Sequence, residues 1–286
     1  MHVDLKKEIP TLSFSDEFSF SPLTVGMTGH RHFLESERMR IKREVADFFE
    51  KLCVFWSKQF HKNNPESISE NMLENNPENI SENVSELNPK RKIPIFVLDG
   101  MAEGADQLVA EVVLELRKRP ECDFLRLVAV TPMPMRFYRE DFEDAETLHN
   151  FETAMTWADA VIELPLTEMN QKMYETQARI KRRPQYAQLG AFLAENSRIL
   201  LALWDGMDLE TASAGGTGNV VRLKVEKSAC LTESLTESVS ESMTESVSGR
   251  IAECGIFQVV TPRTQEAQSV FVSEGNAFFQ AFWGEV

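Results

Sequence analysis

The amino-acid sequence predicts an α/β protein: a Rossmann-like three-layer fold on a mostly parallel sheet of about six strands. Three observations carry this prediction. Short apolar runs alternate along the chain with longer segments whose apolar residues recur at helical spacing. The runs are nearly continuous rather than alternating, as in strands covered on both faces. Glycine-bearing turns stand where several of the runs end. Strand–helix alternation of this kind builds right-handed parallel units on one sheet.

The elements follow in order. "LTVGMT" (23–28) is the first strand. Residues 34–60 carry Leu34, Ile41, Val45, Phe48, Phe49, Leu52 and Phe55 at helical spacing. "IPIFVL" (93–98) is the second strand, and "AEGADQLVAEVVLELRKR" (102–119) the helix after it. "FLRLVAV" (124–130), "DAVIELP" (159–165), "RILLALW" (198–204) and "IFQVVT" (256–261) complete the strands. Further helices are expected over 140–156, 185–196 and 264–282. In such sheets ligands bind beyond the carboxyl ends of the strands, where the strand order reverses. The turns after the strands are therefore the places to look for chemistry.

Two stretches interrupt this scaffold. Between Asn63 and Asn88 glutamate recurs every fourth residue, at 66, 70, 74, 78, 82 and 86. It does so again at Glu233, Glu237, Glu241 and Glu245. A step of four turns a helix by roughly 400°, so the glutamates drift about 40° per repeat and mark no fixed face. The Asn/Ser/Glu bias and one-sided charge suit expanded surface loops, which tolerate length cheaply. A tether or a tail for a partner is the other reading. The expected organisation is an N-terminal extension over 1–21 and one domain over 22–286, with insertions at 63–90 and 228–250.

The formal net charge is −15, and the repeats hold ten of the acids. An acidic chain is a poor partner for nucleic acid or an anionic membrane. Its basic residues are local, at 31, 38, 40, 42 and 43 and in "RIKRR" (179–183). That last run can meet phosphates, but a solvated helix end before Pro184 is favoured. The apolar runs are too short to span a bilayer, and "MHVDLKKEIP" is not a signal peptide. Cys53, Cys122, Cys230 and Cys254 form no CxxC pair, so neither a zinc site nor a disulfide framework is expected. No metal or redox cofactor is expected, and the ligand's identity is left open. The expected compartment is the cytoplasm.

Four turns can meet one ligand. The first is "GMTGHRH", with Gly26, Thr28, Gly29, His30 and Arg31. Its glycines can bring backbone close to an anion, Thr28 adds a hydroxyl and Arg31 a cation. A plain strand-to-helix turn is the alternative. The second is "DGMAEGADQL", where Gly100 and Gly104 bracket Glu103, and Asp106 opens the helix. These carboxylates suit ribose hydroxyls or loop ordering better than catalysis. The third is "TPMPMRFYREDF", stiffened by Pro132 and Pro134. Its Tyr138 either stacks on a base or packs over the sheet end, and packing is favoured. The fourth joins Asp205 and Gly206 of "WDG" to Gly215, Gly216, Thr217 and Gly218 of "GGTG".

In this order, "GMTGHR", "GMAEGAD", "TPMP" with "FYREDF", "WDG" and "GGT" resemble the SLOG superfamily. That superfamily joins the DNA-processing protein A fold, lysine-decarboxylase-like phosphoribohydrolases and the N-terminal regions of melastatin-type channels. The similarity covers about residues 22–262 without the repeats. It points to a bacterial branch found beside defence or signalling modules. The resemblance implies a Rossmann-like sheet that binds a nucleotide or nucleotide-derived ligand. It places Gly215–Gly218 at the phosphate, Gly26, Thr28, Gly29 and Arg31 on the opposite wall, and Gly100, Glu103, Gly104 and Asp106 between them. One departure stands out. The phosphoribohydrolase branch carries PGGxGTxxE, whereas this chain reads "AGGTGNVVR". Ala214 replaces the proline, Thr217 precedes the third glycine, and Arg222 occupies the position of the catalytic glutamate.

The resemblance therefore implies a sensor more than a hydrolase. No catalytic residue is assigned. A sensor would bind its ligand in the crevice and signal to an effector protein, as a homo-oligomer. An N-glycosidase or phosphohydrolase using Glu103, Asp106 or Asp205 is the second reading. An interaction module with a degenerate cleft is the third. Deleting residues 65–87 is expected to leave the melting temperature nearly unchanged, because that composition cannot bury enough apolar surface to order itself. A large drop in a thermal melt would show that the segment packs on the domain.

Overall fold

The computed structural model describes residues 22–63, 93–207, 212–233, 254–264 and 278. The extension over 1–21, most of both repeats and nearly all of the helix expected over 264–282 lie outside the described residues.

The chain forms a six-stranded parallel sheet in the order β4-β3-β2-β1-β5-β6. The strands are β1 (Leu23–Gly29), β2 (Ile95–Asp99), β3 (Leu125–Thr131), β4 (Ala160–Glu163), β5 (Ile199–Trp204) and β6 (Ile256–Val260). Every pairing is parallel, so the sheet is more uniform than expected. β1 sits between β2 and β5. The chain winds outward from β1 to β4 on one side, then returns to place β5 and β6 on the other. The strand order therefore reverses between β1 and β5.

Helices cover both faces. On one side lie α1 (Arg38–Asn63), α2 (Ala105–Leu116) and α4 (Ala145–Trp157). Leu23, Val25 and Met27 of β1 share a core there with Ile41, Val45, Phe48 and Leu108. On the other side lie α6 (Arg182–Asn196) and α7 (Thr217–Glu233). Leu200, Ala202 and Trp204 pack there against Val220 and Val221 of α7. Leu98, Val128 and Val130 pack against Leu189, Phe192 and Leu193 of α6. β5 alternates between the two cores residue by residue, as the pleat requires.

Several boundaries differ from the sequence reading. A 3₁₀ turn over Glu35–Glu37 precedes α1, so Leu34 lies outside the helix. The proline-rich third turn is partly helical. It contains α3 (Met135–Tyr138) and a 3₁₀ turn over Arg139–Asp141, and α4 then starts at Ala145. Asp144 caps α4 by accepting from the Glu146 and Thr147 N–H groups. α5 (Glu168–Glu175) was not anticipated. α6 begins at Arg182, so "RIKRR" runs into the start of a helix rather than forming the end of one. Arg182 donates to Asp141, Glu140 and the Phe137 carbonyl, tying α6 to the third turn. α7 runs to Glu233, so the first residues of the second insertion continue a helix. No described helix is long and apolar enough to cross a membrane.

Candidate functional site

A cleft of about 300 Å³ opens at the carboxyl ends of β1 and β5, where the strand order reverses. Three chain segments build it.

The first is the end of β1. The His30 N–H donates to the Leu203 carbonyl at 3.2 Å, and the His30 carbonyl accepts from Ala105 N–H at 3.1 Å. This turn is thereby bonded to β5 and to the start of α2. Thr28, Gly29, His30 and Arg31 all line the cleft. Gly29 is there for packing: a Cβ would fall 2.4 Å from that of Ala105. Gly26 is likewise a packing residue. A Cβ on it would meet Ser197 at 2.8 Å, and Gly26 does not reach the cleft.

The second segment is the start of α2. Asp106 lines the cleft, and its Oδ2 accepts from Ala102 N–H at 3.2 Å. Behind it Asp99 is fully buried and accepts from Met101 N–H at 2.7 Å. Its other oxygen has no hydrogen-bond partner. Burial raises the Asp106 pKa to about 7, against the Ala102 N–H and the charge of Arg31. Burial and the charge of Asp106 push Asp99 well above the usual carboxylate range. The rest of this turn is structural. Gly104 has φ +85°, and a Cβ there would strike the Arg31 carbonyl at 2.0 Å. Gly100 lies against Asp106, where a Cβ would come within 2.8 Å of Oδ2. Glu103 faces His32 at 3.7 Å. Gly100, Glu103 and Gly104 do not line the cleft.

The third segment is the opening of α7. Gly215 has φ +84°, and a Cβ on it would lie 2.8 Å from the Tyr186 carbonyl carbon, so only glycine fits. Gly216 has no such φ, and a Cβ on it would meet the Ser213 carbonyl at 3.1 Å. Its N–H already donates to that carbonyl at 2.9 Å. The Asn219 and Val220 N–H groups donate to the Gly216 carbonyl. The N–H groups of Thr217 and Gly218 have no backbone partner among the described residues. These are the orphan donors that a helix start exposes. Gly215, Gly216, Thr217 and Gly218 line the cleft.

Asp205 and Gly206 support this wall from outside it. Asp205 is 3% exposed. Its carboxylate lies 3.1 Å from His30 Nε2 and 2.6 Å from Arg263 Nε. Burial opposes its charge, but the bonds from Arg263, the Met207 N–H and His30 hold its pKa below the usual value. Gly206 makes the turn between them with φ +79°.

Neither third-turn candidate lines the cleft. Tyr138 cannot stack on a ligand: it is fully buried, and its hydroxyl donates to the Gly100 carbonyl at 2.8 Å. Pro132 is buried, and its carbonyl accepts from Gln185 at 2.7 Å. Tyr186 and Arg263 are among the lining residues that the sequence reading did not single out. Tyr186 of α6 lies under the Arg31 guanidinium, 4.8 Å from ring centre to Cζ, and donates to Asp141. Arg263 reaches the site from the end of β6. Arg222, at the position of the phosphoribohydrolase glutamate, points to Glu226 at 3.7 Å and does not line the cleft. Among the described residues no cluster of His, Cys, Asp or Glu could hold a metal ion.

No protein-family model and no curated protein matches the chain. The likeness to the SLOG superfamily thus rests on the residues quoted above.

Asp106 keeps its proton to about pH 7 in the fold but only to about pH 4 in an unfolded chain. Between these values the folded state binds the extra proton. The stability this gives is complete below about pH 4 and is lost at about 1.4 kcal/mol per pH unit as pH rises from there to about 7, levelling off above it. The urea midpoint is therefore expected to fall between pH 5 and pH 8, and Asp106→Asn to flatten that fall. An unchanged fall in the variant would place the proton elsewhere.

Proposed function

We propose that this protein binds a nucleotide or nucleotide-derived ligand in the cleft between β1 and β5. One observation carries the reading. Thr217 and Gly218, whose N–H groups have no backbone partner among the described residues, line the same cavity as Arg31, which makes no ion pair among the described residues. A helix start opposite a fixed cation suits a phosphate. Arg31 is pre-positioned by the Tyr186 ring and spends little entropy on binding. Asp106 stands on the same cleft, where a carboxyl group suits ribose hydroxyls.

The ordered turns support membership of the SLOG superfamily. We read the chain as a cytoplasmic sensor that passes ligand binding to an effector protein, acting as a homo-oligomer of a defence or signalling branch. The absence of the phosphoribohydrolase glutamate, with Arg222 in its place and turned to Glu226, argues against cleavage by that route.

A thermal-shift panel of AMP, ADP, ATP and NAD tests the reading, and at least one of them is expected to stabilise the protein. Arg31→Ala is expected to weaken that nucleotide by about 10- to 100-fold, the worth of a charged hydrogen bond. It should also make the residual affinity less sensitive to salt. Affinity that survives Arg31→Ala at every ionic strength would remove the first turn from the site.

A further inference from the structure

Three polar side chains from distant parts of the chain meet at the head of α7. The Thr217 Oγ1 lies 3.5 Å from Nδ1 of His30. The other ring nitrogen, Nε2, lies 3.1 Å from Oδ1 of Asp205. Arg263 Nε holds the second Asp205 oxygen at 2.6 Å. Thr217 and His30 line the cleft, and Asp205 lies beneath it.

Hydroxyl, imidazole and carboxylate in this order form the arrangement that activates a weak hydroxyl nucleophile. The base is within reach of the hydroxyl, and a third group orients the base. Such contacts are often long before substrate binds. The chemistry depends on which ring nitrogen carries the proton. Two groups of Asp205 face Nε2: its backbone N–H, which donates to that nitrogen at 3.2 Å when it is bare, and its carboxylate at 3.1 Å. The carboxylate decides. Arg263 and the Met207 N–H keep it ionised, and an ionised oxygen against a bare ring nitrogen would oppose two lone pairs. A charge-assisted hydrogen bond is about twice as strong as a neutral one. The proton is therefore assigned to Nε2, and the Nδ1 lone pair accepts from the Thr217 hydroxyl.

We propose that the cleft transfers a phosphoryl group from a phosphate ester or anhydride to water through Thr217, with His30 as general base and Asp205 as the positioning residue. This rests on the reading of the α7 start as the phosphate-binding end. Thr217 Oγ attacks phosphorus. The Oγ–P bond forms as the P–O bond to the leaving group breaks, and the hydroxyl proton moves to Nδ1. The leaving oxygen departs opposite Oγ and takes its proton from solvent, while the imidazolium keeps the one it received. Water then attacks the phosphothreonine from the side opposite Oγ and gives its proton to solvent. The P–Oγ bond breaks, and Oγ recovers the proton. The sum is ester plus water giving alcohol plus phosphate, with no other reactant. The Thr217 and Gly218 N–H groups and Arg31 are placed to stabilise charge on the phosphoryl oxygens.

Acetyl phosphate and p-nitrophenyl phosphate are the probes, used with the full chain. Acetyl phosphate is expected to leave an acid-stable phosphoryl adduct, mapped to Thr217 by peptide mass spectrometry. The protein is also expected to release p-nitrophenolate. Thr217→Val and His30→Gln should each lower that release about 100-fold or more, and Thr217→Ser should restore part of it. Thr217→Val is nearly isosteric and leaves the His30–Asp205 contact in place; a melting curve checks its fold. An acid-labile adduct on His30, an acetyl adduct in place of a phosphoryl one, or unchanged turnover in folded Thr217→Val overturns the proposal. Inorganic phosphate separates the two levels of the account. If phosphate raises the melting temperature but neither adduct nor turnover appears, transfer is refuted and the binding reading stands. If neither phosphate nor any nucleotide of the panel stabilises the protein, both fall.

Discussion

The line Arg263–Asp205–His30 joins the carboxyl ends of β6, β5 and β1, and the cleft depends on it. A carboxylate as buried as Asp205 is costly unless it is paired and hydrogen-bonded. Here the pairing comes from two neighbouring strand ends, so satisfying the charge also sets the spacing of the loops above them. His30 is held from both sides. Its backbone bonds to Leu203 and Ala105, and its ring to Asp205. Arg31, the next residue, is thereby aimed into the cavity, and the Gly104 turn packs against its carbonyl. The start of α7 stands on the same support through Thr217.

A second constraint is the balance of charge inside the cleft. Arg31 shares it with Asp106, and Asp99 lies just behind. Two ionised carboxylates there would repel an incoming anion and compete for the guanidinium. Burial instead favours their protonated forms. On the proposed reading the cation then keeps its charge for a ligand, and a protonated Asp106 can donate as well as accept. The same burial makes these groups a drain on stability at high pH, a cost that sites built for binding often carry.

The strands were legible because burial on both faces writes an unbroken apolar run. "ILLALW" is buried at every position. Helix ends were read less well: α2 begins three residues later than expected, since Gly104 at φ +85° forces a turn before it. α5 escaped because "EMNQKMYE" has no apolar stripe; its one buried residue is Asn170, which is hydrogen-bonded to Lys181 and Gln185. In the site, the glycine turns were visible as motifs, but the work of each glycine was not. Gly26, Gly29 and Gly104 make room for helices and backbone, and Gly215 makes room for Tyr186. Tyr186 and Arg263 left no local signal, because each reaches the cleft from an element remote in sequence. Tyr138 packs as favoured, but its hydroxyl's partner, the Gly100 carbonyl, is a long-range one that no local pattern reveals.

The central claim is that the start of α7 holds a phosphate. Gly216 tests it most directly, since its φ is unstrained and a Cβ there would meet only Ser213, its carbonyl at 3.1 Å and its hydroxyl at 3.5 Å. The decisive measurement is a calorimetric titration of folded Gly216→Val with the nucleotide that most stabilises the wild type. The account predicts that binding is lost while the melting curve shows a folded protein. Unchanged affinity in that folded variant would contradict it.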